Sequence, residues 1–250
     1  MSRSRVAVAG AVALLCCTAH AADARVTPYR PSVSAPAQLP LPGQFELEAG
    51  GATATGPGRR TTLPYLFKYA FTDEWGVLLG GDAWVGQRNG ARDEGAGDTL
   101  LILKRAFVDD AASAYGIELA AKLATAARPL GSGSTDWTVN AIHSRDFGRV
   151  HVDLNLNATR LGNPGPGAAR LQLGAAAAYA VALDGGWGAA AELSGTRNRG
   201  GQSTGQLLVA MNVVVGPGWV ADFGVARGLT RATPRWAWFA GVVLPLAKLR

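Results

Sequence analysis

The chain has 250 residues, of which 48% are hydrophobic and 17% charged, and its formal net charge is +6. After the first 21 residues, no segment approaches the 18 consecutive strongly apolar residues of a transmembrane helix, which excludes a helical membrane anchor there. The basic residues are isolated and form neither an aromatic-interleaved patch nor a recognisable reader motif, which argues against nucleic-acid binding.

Residues 1–21 have the layout of a secretory signal peptide. Arg3 and Arg5 precede an apolar run over residues 6–17, and small residues flank a cleavage site at residues 19–21. The run is too short to remain as a membrane-spanning helix. It contains both cysteines of the chain, so the mature protein is expected to have no disulfide, thiolate metal site or cysteine nucleophile.

Residues 22–43 contain five prolines and no hydrophobic periodicity, and we expect them to form an extended periplasmic lead-in. From residue 44 to residue 250 the sequence predicts an all-β fold, a single antiparallel up-and-down transmembrane β-barrel. Short alternating segments recur there, and their number is even, as a closed bacterial barrel requires. The twelve predicted strands span residues 44–52, 61–71, 75–86, 98–107, 115–125, 135–145, 150–161, 170–183, 187–196, 205–215, 219–228 and 236–246.

The alternation is clearest in the seventh segment, where Val152, Leu154 and Leu156 alternate with Asp153 and Asn155. This period of two gives a strand one apolar and one polar face. Residues 111–127 could instead form an Ala-rich helix with a Glu118–Lys122 pair at helical spacing. We favour a strand there because the neighbouring segments are strands and Gly116 lies inside it.

The connections alternate between long and short, which favours a barrel over a β-sandwich. Outer-membrane barrels have longer external loops and short periplasmic turns. The long connections span residues 53–60, 87–97, 126–134, 162–169, 197–204 and 229–235, and the short ones span residues 72–74, 108–114, 146–149, 184–186 and 216–218.

Aromatic residues cluster at the ends of the predicted strands, as two membrane interfaces would require. The predicted interface residues are Trp75, Trp84, Tyr115, Trp137, Trp187, Trp219 and Trp236, with Trp238 two residues further in. Arginines are concentrated in the long loops, and we hypothesise that they face lipopolysaccharide phosphates, which guanidinium groups bind with two parallel hydrogen bonds. Ordinary solvated loop charges are the alternative. These arginines are Arg59, Arg60, Arg88, Arg92, Arg128, Arg197, Arg199, Arg231 and Arg235.

Five motifs lie at loops and strand ends: Leu63-Pro64-Tyr65-Leu66, Lys68-Tyr69-Ala70-Phe71-Thr72-Asp73, Gly95-Ala96-Gly97-Asp98, Leu101-Ile102-Leu103-Lys104 and residues 130–136. In these motifs the chain resembles the meta-pathway phenol-degradation family of outer-membrane β-barrel transporters. The resemblance extends over essentially the whole mature chain, and its motifs describe architecture better than substrate. The chain has Ala124-Thr125-Ala126 where the family usually has Pro-Thr-Gly, and it ends in Leu249-Arg250 instead of an aromatic residue.

Three patterns could indicate an enzyme or a metal site, and each is weak. Residues 201–205 have the spacing of a hydrolase nucleophile elbow but are not placed between a strand and a helix. His143, Ser144 and Asn155 suggest an outer-membrane phospholipase, yet adjacent residues of a strand face opposite sides. His143 and His151, with Asp146 and Asp153 nearby, lack metal-ligand spacing. We therefore predict neither an enzyme nor a bound metal or cofactor.

The polar faces of the predicted strands would line the barrel lumen. They can be interpreted as an ion-pair network that plugs the lumen or as a polar lining for solutes, and twelve strands allow either. The predicted lumen residues are Glu46, Glu48, Lys68, Asp82, Lys104, Glu118, Lys122, Asn140, Asp153, Asn155, Asn157, Glu192, Asn212 and Asp222.

We therefore predict a channel in the outer membrane of a Gram-negative bacterium that passes small solutes passively, with aromatic or apolar compounds suggested only by the family resemblance. The alternative is a closed structural or lipopolysaccharide-binding barrel, and a lipid hydrolase is the weaker third reading. The expected partners are outer-membrane lipid, lipopolysaccharide, a small-molecule solute and, during biogenesis, the barrel assembly machinery.

Overall fold

The computed structural model describes residues 26–56, 58–110 and 112–249. The predicted signal peptide, residues 1–21, and the first four residues of the predicted lead-in lie outside these ranges. Within them, no helix is long and apolar enough to cross a membrane.

The described chain folds into thirteen antiparallel strands and a short 3₁₀ turn at Asp184–Gly186. All twelve predicted strands are confirmed to within a few residues at each end, including β6, for which a helix was the alternative. The strand β4 was missed, because it lies inside a predicted long loop. The strands are β1 Gln44–Thr55, β2 Arg59–Ala70, β3 Trp75–Asn89, β4 Ala91–Gly95, β5 Thr99–Val108, β6 Ser113–Leu123, β7 Asp136–Phe147, β8 Val150–Arg160, β9 Leu171–Ala182, β10 Trp187–Asn198, β11 Thr204–Val214, β12 Val220–Gly228 and β13 Trp236–Lys248.

Twelve of these strands close into a single up-and-down barrel. Each pairs with its neighbours in sequence, and β1 pairs with both β2 and β13, which closes the ring. The strand β4 stands outside the ring and pairs only with the distal part of β3, residues 85–89. The β2–β3–β4 sheet therefore extends beyond the wall at the end of the barrel that has the long connections, here called the loop end. The opposite end is called the turn end.

Side chains alternate between the two faces of the wall as the period of two predicts. In β6, Tyr115, Ile117 and Leu119 are 47%, 50% and 47% exposed on the outer face, whereas Gly116 and Glu118 are buried. The same alternation makes Leu154 and Leu156 of β8 exposed. Soluble proteins rarely expose so large a continuous apolar surface. The outer face of the barrel is therefore suited to contact with lipid.

Residues 26–43 do not extend away from the barrel but lie inside its lumen, and we call them the inner segment. Tyr29 and Ala37 of this segment are 8% and 0% exposed. At its end, the Gly43 NH donates to the Ala70 carbonyl and the Gly43 carbonyl accepts from Leu249 NH, both at 2.7 Å, at the turn end. The prediction of a periplasmic lead-in is therefore wrong for the described residues 26–43.

The composition of the inner segment explains this location. Its prolines lack an NH and prevent it from joining the sheet as a strand. Its remaining NH groups still need acceptors once they are buried. Inward-facing side chains of the wall supply those acceptors.

Candidate functional site

The candidate site is the barrel lumen, formed by the inward faces of the strands and the inner segment. Nine of the fourteen predicted lumen residues are buried, and Asp82, Lys122, Asn140, Asn157 and Asn212 are half-buried. Asn212 lies opposite Asp222 on β12 and Gly188 on β10. The buried ones are Glu46, Glu48, Lys68, Lys104, Glu118, Asp153, Asn155, Glu192 and Asp222.

A buried ion cluster joins β1, β2 and the beginning of the inner segment. The Lys68 ammonium lies 2.8 Å from Glu46 Oε2 and 2.7 Å from Glu48 Oε1. It also donates to the Thr27 carbonyl of the inner segment. The Tyr29 NH donates to Glu48 Oε1 at 2.7 Å. Two carboxylates can remain buried here because the ammonium group neutralises part of their charge and backbone NH groups donate hydrogen bonds to them.

A second cluster connects β5, β6 and β7 to the same segment. The Lys104 ammonium lies 3.1 Å from Glu118 Oε1 and donates to the Pro36 carbonyl. The Asn140 amide donates to Glu118 Oε2 at 3.0 Å and to Asn155 Oδ1 at 2.9 Å. Polar groups of the wall are therefore linked to each other as well as to the inner segment.

The Tyr29 ring lies between these two clusters. Its centroid is 4.5 Å from the Lys68 ammonium and 4.3 Å from the Lys104 ammonium. Both distances are within the range of a cation–π interaction. The Tyr29 hydroxyl donates to the Gln38 carbonyl at 2.8 Å and so connects the two arms of the inner segment.

The tip of the inner segment reaches the opposite wall. The Val33 and Ser34 NH groups each donate to Glu192 Oε2 on β10 at 2.8 Å. Arg30 meets Asp222 on β12, with its Nε 2.9 Å from Oδ2. These contacts place the segment across the lumen instead of along one wall.

The returning arm is held by β7 and β8. The Ala35 NH donates to Asn155 Oδ1 at 3.0 Å, and the Asn155 amide donates to the Ala35 carbonyl at 2.9 Å. The Ala37 NH donates to Ser144 Oγ at 2.7 Å. The inner segment thus contacts inward side chains on both sides of the barrel and fills the half of the lumen near the turn end.

A chamber remains above the inner segment, toward the loop end. One cavity of about 330 Å³ has Val33, which is 62% exposed, as part of its lining. Asn140, Asn155 and Asn157 also line this cavity. An adjoining cavity of about 290 Å³ has Leu66, Leu78, Leu100 and Ile102 in its lining, together with the charged residues Arg30, Glu48 and Glu118. The chamber therefore offers an apolar wall and a wall of amide groups.

A third cavity, of about 510 Å³, lies nearer the rim and is lined by charged side chains. Lys122 lies 3.2 Å from Asp98 and 3.1 Å from Asp136. Arg60 lies 4.0 Å from Asp82. These ion-paired side chains surround the entrance to the chamber.

Asp98 also anchors the loop of residues 126–134. Its carboxylate accepts hydrogen bonds from the Ala126 NH at 3.0 Å and the Ser132 NH at 3.3 Å. Partial burial acts to raise the pKa of Asp98, but these bonds and the contact with Lys122 outweigh it and hold the pKa below the usual value. Leu130 of this loop is 6% exposed, so the loop folds against the rim.

The residues weighed for catalysis are not brought together. His143 stacks on Tyr115 of the outer face at 4.7 Å, whereas Ser144 is buried on the inner face with Asn155. His151 bridges Asp146 and Asp153 through its two ring nitrogens, at 2.6 and 3.0 Å.

No metal-binding group and no nucleophile elbow is present in the described ranges. No group of three or more His, Cys, Asp or Glu residues there could hold a metal ion. Residues 201–203 lie in the turn between β10 and β11, without the strand–helix context of an elbow.

The interface aromatics and the loop arginines lie at the surface. Tyr115, Trp137, Trp187, Trp219 and Trp236 are exposed, and Trp75 and Trp84 are half-buried. Arg60 is half-buried and donates to Gln87 Oε1 at 2.9 Å and to the Leu130 carbonyl at 3.2 Å. The exposed arginines are Arg59, Arg88, Arg92, Arg128, Arg197, Arg199, Arg231 and Arg235.

Sequence reasoning missed every site residue of the inner segment, including Tyr29, Arg30 and Val33. One signal was available. Seven of the fourteen predicted lumen residues are carboxylates and only three are lysines. An excess of buried carboxylates requires further donors, and Arg30 with the backbone NH groups of the inner segment provides them.

No protein-family model and no curated protein matches the chain. Among solved structures, the COG4313 outer membrane channel from Pseudomonas putida F1 is similar, with a TM-score of 0.69 at 16% identity, covering 89% of this chain and 100% of that one. The KdgM porin has a TM-score of 0.58 at 9% identity, covering 80% of this chain and 99% of that one. The CymD monoaromatic hydrocarbon channel has a TM-score of 0.50 at 10% identity, covering 81% and 88%. At these identities the likeness establishes a shared barrel fold.

Proposed function

We propose that the protein is an outer-membrane channel for the passive passage of small solutes and that its inner segment closes the pathway. The observation that carries this proposal is the division of the lumen into two parts. A chamber lies toward the loop end, and below it the inner segment is held by side-chain hydrogen bonds and ion pairs. Such contacts can be exchanged for water more easily than the ladder of a strand in the wall.

The outer surface supports a location in the outer membrane. Apolar side chains cover the outer faces of the strands, and Trp137, Trp187 and Trp219 are exposed at strand ends. Short turns at one end and longer loops at the other would place the turn end in the periplasm. The chamber would then face the outside of the cell.

The chamber lining supports a solute with an apolar body and a polar substituent. Leu78, Leu100 and Ile102 would contact the apolar part, and Asn140 and Asn157 would bind the polar group. A cavity of about 150 Å³ accommodates benzene, and each part of the chamber is larger. The resemblance to the phenol-degradation family agrees with a monoaromatic solute.

Ionic current through the refolded protein in planar bilayers tests this proposal. We expect discrete openings whose current is interrupted by phenol at millimolar concentration. Ile102→Asn should weaken the interruption several-fold by making the apolar wall polar. Gln172→Asn, which alters the third cavity only, is the matched control and should retain it. Openings that phenol does not affect would refute the proposed solute class.

A closed structural barrel is the second candidate function. The ion clusters around Lys68 and Lys104 favour it because they leave the half of the lumen near the turn end filled. Such a barrel would stay silent in the bilayer although electrophoresis shows it to be folded. That outcome would refute the channel.

A further inference from the structure

We propose that Arg59, Arg88 and Arg92 form a binding site for phosphate groups of the lipopolysaccharide that surrounds the barrel. The site lies on the extension formed by β2, β3 and β4. The inference does not depend on whether the lumen conducts.

The three arginines occupy directly opposed positions on adjacent strands. Arg59 pairs with Arg88 across β2 and β3, and Arg88 pairs with Arg92 across β3 and β4. Side chains at opposed positions begin about 5 Å apart on the same face. Like charges at such positions repel each other, so this row is unfavourable unless an anion lies between the guanidinium groups.

Carboxylates of the protein do not neutralise the row. Glu94 lies 3.0 Å from Arg92 on the exposed surface. Within the described residues, Arg59 and Arg88 form no ion pair with any acidic side chain. Three guanidinium groups and one carboxylate leave a net charge of +2 on this face.

The alternation of the strands places the row on the outer face of the wall, and atoms of Arg59 and Arg88 also border a cavity of about 420 Å³ at the loop end. Arg60 and Gln87, the sequence neighbours of Arg59 and Arg88, bond to each other on the lumen side. On β3, the Trp84 ring lies over Gly86, since a Cβ on Gly86 would be 2.3 Å from a Trp84 ring atom. Trp84 and Gly86 therefore share the outer face, and Arg88 follows on the same face toward the loop end.

This position favours a lipid as the source of the phosphate. Tryptophan side chains favour the membrane interface, and Arg88 lies four residues, or about 13 Å, beyond Trp84 along an extended strand. Phosphates of a surrounding lipid reach the outer face at that height, whereas free solutes enter through the rim. Guanidinium forks bind phosphate oxygens in pairs, and adjacent arginines can share one phosphate.

Binding of bisphosphorylated lipid A to the detergent-solubilised protein tests the site. We expect saturable binding that Arg59→Gln/Arg88→Gln weakens about tenfold through the loss of charge-assisted hydrogen bonds. The matched control is Arg160→Gln/Arg170→Gln. It removes two exposed charges at the loop ends of β8 and β9, and Arg160 lies opposite the non-basic residues Trp137 and Leu171. The control should change the affinity less than twofold.

Two further measurements distinguish binding through guanidinium forks from an effect of charge alone. Arg59→Lys/Arg88→Lys keeps the charges but loses the forks, so its affinity for lipid A should lie between those of the wild type and the glutamine variant. If the glutamine variant fails to fold, the lysine variant replaces it in the test. Without lipid A, relief of repulsion should raise the Tm of the glutamine variant or leave it unchanged.

Three results would overturn the proposal. Wild type that fails to bind lipid A refutes the site. An equal loss of lipid A affinity in Arg59→Gln/Arg88→Gln and in the control variant would mean that binding depends only on overall charge. Competition by inorganic phosphate at the concentration of lipid A would identify a site for free phosphate instead of lipid.

Discussion

Arg30 and Asp222, which are 192 residues apart in sequence, meet inside the barrel through two parallel hydrogen bonds. Arg30 Nε lies 2.9 Å from Asp222 Oδ2, and Arg30 Nη2 lies 3.1 Å from Oδ1. The side chain of Asp222 is 1% exposed and that of Arg30 is 16% exposed. A carboxylate buried to this degree depends on its partner, so this pair ties the inner segment to the wall at β12.

Arg30→Gln should release the inner segment. Removal of one partner from a buried ion pair costs about 3–5 kcal/mol, and each 1.4 kcal/mol changes an equilibrium about tenfold. We therefore expect the open-state occupancy in planar bilayers to rise at least about tenfold. Arg30→Gln/Asp222→Asn should recover part of the closed state, because it removes the uncompensated charge. Unchanged occupancy in Arg30→Gln would show that the pair does not hold the segment.

Glu192→Ala should free the tip of the inner segment. The Val33 and Ser34 NH groups lose their shared acceptor, and a hydrogen bond to a charged group contributes about 1.5–3 kcal/mol. Hydrogen exchange at these two amides should accelerate at least about tenfold, with a smaller effect in Glu192→Gln, which keeps an acceptor oxygen. Ser194→Ala, two residues along the same face, is the control. Equal exchange in wild type and Glu192→Ala would contradict the assigned contact.

Two substitutions of Tyr29 separate the contribution of its ring from that of its hydroxyl. Tyr29→Phe loses only the bond to the Gln38 carbonyl, about 0.5–1.5 kcal/mol. Tyr29→Leu also loses the interaction with the two ammonium groups, about 0.5–2 kcal/mol for each cation. Denaturant unfolding, followed by electrophoretic mobility, should rank the variants as wild type, Phe, then Leu. Equal stability of the Phe and Leu variants would exclude a cation–π contribution.

The strands of the barrel wall could be predicted from the sequence because the alternation of apolar and polar residues that identifies them is local. A strand with one face in lipid and one in the lumen must alternate, and the run from Val152 to Asn157 does so regardless of its neighbours. The short strand β4 could not be found in this way. Asp93 and Glu94 place a charged side chain on each face of the strand, so no apolar face marks it in the sequence. The strand forms because it continues the sheet beyond Val85 of β3.

The inner segment could not be predicted by periodicity because it has none. Its location is decided by contacts distant in sequence, such as Val33 with Glu192 and Ala37 with Ser144. A proline-rich sequence looks the same whether it is solvated or buried, since both states are extended. Alternation predicted which side chains of the wall face inward, but it could not predict the partners of their charges.

Acidification should loosen the rim loop of residues 126–134. The pKa of Asp98 is lower when folded than when unfolded, so its contribution to stability is present above the ordinary pKa, about 4. That contribution is lost as the pH falls through the lowered value. Asp98→Asn at pH 7 should reproduce the acidic state, with faster hydrogen exchange at Ala126 and Ser132. Exchange that is unchanged in Asp98→Asn would show that other contacts hold the loop.

A reversible tether between the inner segment and the wall tests the central claim most directly. Ala37 and Ser144 are in contact through a hydrogen bond of 2.7 Å, and both cysteines of the chain lie in the predicted signal peptide. In Ala37→Cys/Ser144→Cys, a disulfide would fix the segment in the lumen, with Ser144→Cys alone as the control. We expect the oxidised protein to be silent in planar bilayers and the same membrane to show openings after a reductant is added. Equal conductance before and after reduction, with the disulfide verified by mass spectrometry, would contradict a gate formed by the inner segment.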